Sequence, residues 1–223
     1  MFGVGGVGGF LAARLGGIVN NGSSTLEAVS VVARGDHLRA IDSRGLTLIN
    51  VDGSERTVRP TAAAENPADL PPADLIILGV KGYGLDDALE AMRPALLPGA
   101  AVLPLLNGAD IHERVQSRLP DATVLPGCIY ISAFIEAPGV IRHAGGPGKV
   151  FLGPDTGSRR WEPERFLKAC AEAGIPAEWR EDVLTAVWEK FLFIAPFSLV
   201  TAASGESLGG VLASDTLRKD ARS

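Results

Sequence analysis

Several groups of residues in this 223-residue chain have types and spacings that can do chemistry. The first is Gly3-Val4-Gly5-Gly6-Val7-Gly8, a G-x-G-x-x-G spacing that runs straight into Phe10-Leu11-Ala12-Ala13-Arg14-Leu15. That spacing lets backbone N–H groups at a helix N-terminus approach a dinucleotide pyrophosphate. Taken alone it also fits a flexible turn, because the chain holds 27 glycines. Three further groups each follow an apolar run: Arg34, Lys81 between small residues, and Asn107-Gly108. Ligands of parallel α/β sheets bind outside the carboxyl ends of the strands, which is where these residues fall.

Arg34 bears on cofactor choice. A site for NAD places Asp or Glu at the end of the second strand to accept from the ribose hydroxyl. Here the residues are Ala33-Arg34, and the first acid is Asp36. A guanidinium holds a 2′-phosphate through paired charge-assisted hydrogen bonds, so the expectation is NADP.

Lys190 stands out in the second half. Its helical neighbours Ala186, Val187, Phe193 and Ile194 are all apolar. A lone helical lysine usually snorkels to water. If its amine faces a cleft instead, desolvation lowers its pKa and makes it a general acid near neutrality. Two literal motifs carry less. Gly205-Glu206-Ser207-Leu208-Gly209 matches a nucleophile elbow, but a predicted helix precedes it and His37, His112 and His143 all lie upstream. Gly148-Lys149 is followed by Val150, which a phosphate-binding loop does not allow.

The elements that must position these groups alternate. Helices are expected over 10–19, 37–43, 85–97, 110–119, 163–173 and 181–203. Strands are expected over 29–33, 74–80, 100–106, 123–130, 140–143 and 150–153, with a hairpin turning at Asp52-Gly53. This order predicts a doubly wound, Rossmann-type α/β domain over residues 1–180. The beginning of an all-helical part over 181–223 follows it. Only Met1-Phe2 precede the glycines, so the first strand is expected to be clipped. A net charge of −5 with no basic stripe argues against nucleic acid. Two cysteines and three histidines, all dispersed, suggest no metal site. By residue count no stretch is expected to approach the ~18 apolar residues of a membrane span, and cytoplasm is the default expectation.

In order along the chain, Gly3 to Gly9, Ala33-Arg34-Gly35, Val80-Lys81, Leu106-Asn107-Gly108 and Trp188-Glu189-Lys190-Phe191 resemble the ketopantoate reductase family. The resemblance implies NADPH-dependent reduction of a small 2-oxo acid to a 2-hydroxy acid, with ketopantoate to pantoate in pantothenate biosynthesis as first choice. It implies cofactor contacts from Gly3, Val4, Gly5, Gly6, Val7, Gly8, Arg34, Lys81, Asn107 and Ser132. Lys190 would donate the proton and Asn107 would touch both cofactor and substrate. Family members carry asparagines four and eight residues past the lysine, where this chain has Ile194 and Ser198. Ser198 is retained as a substrate contact, and Ile194 puts the exact oxo acid in question. The family's longer helical domain implies that this chain is a fragment with an incomplete homodimer surface. The alternatives are a dehydrogenase for another hydroxy acid and a nucleotide-binding module without turnover.

Overall fold

The computed structural model describes residues 1–155 and 161–221. In chain order its elements are α1 (Gly6–Asn20), β1 (Ser30–Val32), α2 (Gly35–Arg44), β2 (Leu46–Ile49), β3 (Glu55–Val58), β4 (Ala62–Ala64) and β5 (Ala73–Leu78). Next come α3 (Leu85–Met92), β6 (Leu96–Pro104), α4 (Ile111–Arg118), β7 (Thr123–Val124), β8 (Gly127–Ala137) and β9 (Val140–Leu152). The chain finishes with α5 (Glu164–Glu172), β10 (Ala177–Trp179), α6 (Val183–Ser204), α7 (Leu208–Ala213) and α8 (Asp215–Asp220).

The first sheet is parallel throughout. β1 pairs with β4, and β5 with β6 and then β7. Phe2 joins the two parts, bridging in parallel to both Val32 and Leu78. Its N–H donates to the Ile77 carbonyl at 2.9 Å, and its own carbonyl accepts from Gly79 at 2.8 Å. On the other side the Gly3 N–H reaches the Val32 carbonyl at 3.2 Å, and Val32 donates to Met1 at 2.9 Å. The two residues before the glycines therefore do the pairing of a central strand, and the order is β4-β1-Phe2-β5-β6-β7.

Why these strands read as unbroken apolar runs is visible in how they divide. Ile76 and Leu78 enter the core shared with Leu85, Leu89 and Met92 of α3 and Val115 of α4. Ile77, between them, enters the opposite core with Phe10, Leu11 and Leu15 of α1. Val31 and Val32 split in the same way, as do Val102 and its neighbours Ala101 and Leu103. A strand covered by helices on both faces has no side to leave polar.

Several expected boundaries are corrected. The helix expected over 85–97 stops at Met92, followed by a 3-10 turn at Arg93–Ala95 and then β6. Pro94 supplies no N–H to continue the helical ladder. The strand expected over 123–130 is two strands: β7 stays in the first sheet, and past Pro126 the chain enters a second sheet as β8. The runs at 140–143 and 150–153 are one strand, β9, which continues through the glycines between them with bulges against β8. The second sheet has the order β10-β9-β2-β3, with β8 also on β9.

The expectation that no apolar stretch reaches membrane-spanning length is also corrected. The 22-residue α6 has a mean hydropathy of 1.6 over its best window, long and apolar enough by length and composition alone. Residue counting missed it because Glu189, Lys190 and Pro196 punctuate the run. Its first turns bury Val183, Ala186, Val187 and Lys190 against β8, while Leu192, Phe193 and Leu199 are exposed.

Packing is very tight where α1 starts. A Cβ on Gly8 would stand 2.0 Å from the Gly3 carbonyl oxygen, and one on Gly6 would stand 1.9 Å from the Ala133 oxygen. Both obstacles are backbone and cannot swing aside. Gly8→Ala should therefore destabilise the fold by about 1–3 kcal/mol, the usual cost of overpacking. Urea denaturation reads this as a lower midpoint at unchanged slope, and an unshifted midpoint would contradict the packing described.

Candidate active site

All strands leading to the sequence-predicted groups run parallel, so their following residues gather at one edge of the sheet. The glycine loop follows Phe2, Arg34 follows β1, Lys81 follows β5, and Asn107 follows β6.

The glycine loop divides its labour by position. Gly3 has φ of +89°, and its Cα faces Val80 so closely that a Cβ would lie 2.8 Å from the valine Cγ1. Gly8 permits the helix to pack on the strand. Gly5, the N-cap of α1, is different: a Cβ there would meet nothing nearer than 3.9 Å. It has ordinary φ of −80° and no side chain caps the helix. The first N–H groups of α1 are thus left for another acceptor, and no acidic residue sits in its first turn to repel an anion. This arrangement fits a dinucleotide pyrophosphate: one glycine for the turn, one for close approach of the ligand, one for packing.

Arg34 is exposed at the N-cap of α2, and its side chain makes no hydrogen bond or ion pair among the described residues. Lys81 is exposed at the start of the 3-10 turn Gly82–Gly84. Ser132 is exposed on β8 beside Ala133, whose carbonyl abuts Gly6. Val4 and Val7 flank the loop glycines, and Val4 is buried in the core below α1.

Lys190 has crossed from the second half of the chain to meet this edge. Its Nζ donates a 2.9 Å hydrogen bond to Asn107 Oδ1, across 83 residues of sequence. Only 8% of the lysine is exposed, and burial lowers its pKa, opposed by the neighbouring Cys128. The ammonium also lies 5.9 Å from the centre of the Tyr130 ring. A small cleft beside the pair is lined by Leu106, Gly108, Cys128, Val187, Phe191 and Ile194. Ser198 lies two turns further along α6, exposed, and the cleft lining stops at Ile194.

Sequence reading missed Cys128 and Tyr130. Cys128 is buried, yet it also lines the cleft, and its thiol donates weakly to the Ala186 carbonyl at 3.7 Å. Burial raises the pKa of its thiol, as it does that of Tyr130. The available signal was their two-residue spacing, which puts both on one face of β8. A larger cavity of about 280 Å³ lies among Ser30, Ala73 and Arg165, at the amino ends of the strands and away from these groups.

The arrangement can do specific chemistry. A desolvated ammonium is fixed by an amide that keeps its own N–H groups free to donate. The pair stands at the same strand edge as an open, anion-ready helix terminus.

Comparison with known proteins agrees with this geometry. The family description "Ketopantoate reductase PanE/ApbA" matches residues 1–157. A 2-dehydropantoate 2-reductase from Mesorhizobium japonicum is 30% identical over 243 residues, aligned to 100% of this chain and 72% of its own. One from Halobacterium salinarum is 30% identical over 205 residues, and the match spans 92% of this chain and 66% of that protein. The crystal structure of 2-dehydropantoate 2-reductase from Porphyromonas gingivalis superposes with a TM-score of 0.86 at 33% identity, covering 96% of this chain and 75% of that one.

If Gly5 is where a ligand approaches, Gly5→Ala should cost the fold no more than about 1 kcal/mol, the cost of a poorer N-cap, and weaken binding of a nicotinamide dinucleotide by about tenfold. Fluorescence titration measures this, and undiminished affinity would remove the loop from the site.

Proposed function

Because the chain belongs to the ketopantoate reductase PanE/ApbA family, we propose that it reduces a 2-oxo acid to a 2-hydroxy acid with NADPH. The observation that carries this reading is the buried Lys190–Asn107 hydrogen bond at the strand edge that also bears the glycine loop. Residues 1–180 are the dinucleotide-binding part, and 181–223 begin a helical part that completes the substrate side. The glycine loop Gly3 to Gly8 receives the pyrophosphate, Arg34 the 2′-phosphate, and Lys81 and Ser132 further polar groups of the cofactor. The unpaired guanidinium of Arg34 supports the choice of NADP over NAD. The cytoplasm is the compartment that fits this reading.

A bound nicotinamide supplies the hydride. The protein's task is the oxygen of the substrate carbonyl. As the carbonyl π bond opens, its electron pair moves to oxygen, and the Lys190 ammonium stabilises the growing negative charge and transfers its proton there. Burial readies the lysine for this step, since a lowered pKa makes proton release easier. Asn107 Oδ1 fixes the ammonium in place, leaving the amide N–H groups to donate to substrate or carboxamide oxygens. The amine then regains a proton from solvent.

One observation favours a substrate other than ketopantoate. Ile194 lines the cleft where relatives with that substrate present an amide, and it offers no hydrogen bond. A hydroxylated oxo acid would lose a partner there. The first-choice substrate remains ketopantoate, and a panel of 2-oxo acids decides between them.

Lys190→Met should lower kcat by about 10²–10⁴ with dinucleotide affinity nearly unchanged. Equal losses in both would remove its role as proton donor. The sign of the pH dependence follows from which form works. The protonated amine is required, so activity should fall as pH rises through a midpoint below the ordinary lysine value, because burial lowers it. A rate that climbs through that range would contradict the assignment. Arg34→Ala should weaken NADPH by roughly 1.5–3 kcal/mol, the value of a charge-assisted bond, and NADH far less. Parallel losses for both cofactors would refute the 2′-phosphate contact.

A further inference from the structure

His37 has no part in the chemistry above, yet it ties α2 to the hairpin beside the glycine loop. It lies in the first turn of α2, three residues after Arg34. Its Nδ1 accepts a 2.9 Å hydrogen bond from the backbone N–H of Gly139, in the turn between β8 and β9. Its Nε2 is sealed from water and has no hydrogen-bond partner among the described residues. The Val4 carbonyl, in the glycine loop itself, lies close enough to favour the protonated ring, but burial outweighs it and lowers the imidazole pKa below 6.5.

The tautomer follows from the partner. Gly139 can only donate, so Nδ1 must carry a lone pair, and the proton of the neutral ring sits on Nε2. The turn is held to α2 at further points. Gly139 has φ of +80°, and a Cβ on it would stand 2.9 Å from that of Ala40. The Arg44 guanidinium donates to the Pro138 carbonyl at 3.4 Å. The hairpin leaving this turn carries Ala133, whose carbonyl abuts Gly6. One side chain thus ties the helix that follows Arg34 to the hairpin backing the loop.

We infer that neutral His37 is a positioning residue for the dinucleotide site, an inference that rests on the cofactor reading of the glycine loop. A second proton would set N–H against N–H at Gly139 and break the link. Binding of the dinucleotide therefore depends on a group that never touches it. Among the charged groups on the surrounding elements, Asp36 pairs with Arg39 on α2 and Glu136 pairs with Arg142 on the hairpin, while Asp42 and Arg44 of α2 are exposed. Arg34 and Lys81 are exposed to solvent on either side. The sign is fixed by the lowered pKa: the link is complete above 6.5 and is lost as pH falls through the lower value of the folded protein.

The experiment measures the dissociation constant of NADP⁺ between about pH 5 and 8 for the wild type, His37→Asn and His37→Leu, with urea melts at each pH. Asn offers Gly139 an acceptor and does not titrate. It should keep near-neutral affinity, while wild-type affinity falls on acidification by about threefold to tenfold more than that of the Asn variant. His37→Leu should bind about threefold to tenfold more weakly at every pH, without the extra acid loss. The 2′-phosphate titrates equally in all three proteins, so only the difference between profiles is read. If Leu fails to fold, the comparison with Asn decides. Tight binding with identical wild-type and Asn profiles would overturn the role of His37 alone. A wild type that binds no dinucleotide would overturn both this inference and the cofactor reading beneath it.

Discussion

Two residues of backbone hold this molecule's main sheet together. Without the pairing of Phe2 to Val32 on one side and to Leu78 on the other, β4-β1 and β5-β6-β7 would be separate ribbons. Their edges would also expose unpaired N–H and C=O groups in the core. The same pairing fixes where the glycine loop emerges, because Gly3 is both the last residue bonded to β1 and the first of the turn. From that point the chain reverses into α1, and the strands on either side continue to Arg34 and to Lys81. The position where the strand order changes direction and the position of the anion-ready helix terminus are one place, which is the general reason such sheets bind ligands there.

Sterics then sort the glycines by consequence. Gly3, Gly6 and Gly8 are surrounded by backbone or core at distances that leave no room for a methyl group, whereas Gly5 faces open space. Absence of a side chain is required by packing at the first three and not at the last. A motif of alternating glycines therefore contains positions that mutation can pull apart. The His37 link belongs to the same structure, since the hairpin it anchors is the surface against which Gly6 packs.

Lys190 reaches this edge through a division along α6. The first turns bury small and branched side chains on β8, so the helix lies close enough for Nζ to reach Asn107. Beyond Phe191 the helix is largely exposed and apolar. An ammonium placed among Val187, Phe191 and Ile194 loses hydration, and the single amide oxygen of Asn107 replaces part of it. The loss of hydration of the charged form is what lowers its pKa.

The glycine spacing, the strand–helix alternation and part of the apolar surround of Lys190 (Val187 and Ile194, but not the exposed Phe193) were legible along the chain because each is a local pattern. So was the hairpin at Asp52-Gly53, where β2 and β3 pair as expected. Boundaries failed where a long-range pairing overrode local signals: β9 runs through Gly145-Gly146 because β8 pairs with it on both sides of the bend. The shift of β8 into a second sheet, the approach of Lys190 to Asn107, and the link from His37 to Gly139 span many residues and leave no periodicity to read. The order of residue types determined which groups had the chemistry. Only tertiary packing decided which of them met, because hydrogen bonds of 2.9 Å between distant segments require their backbones to be fixed first.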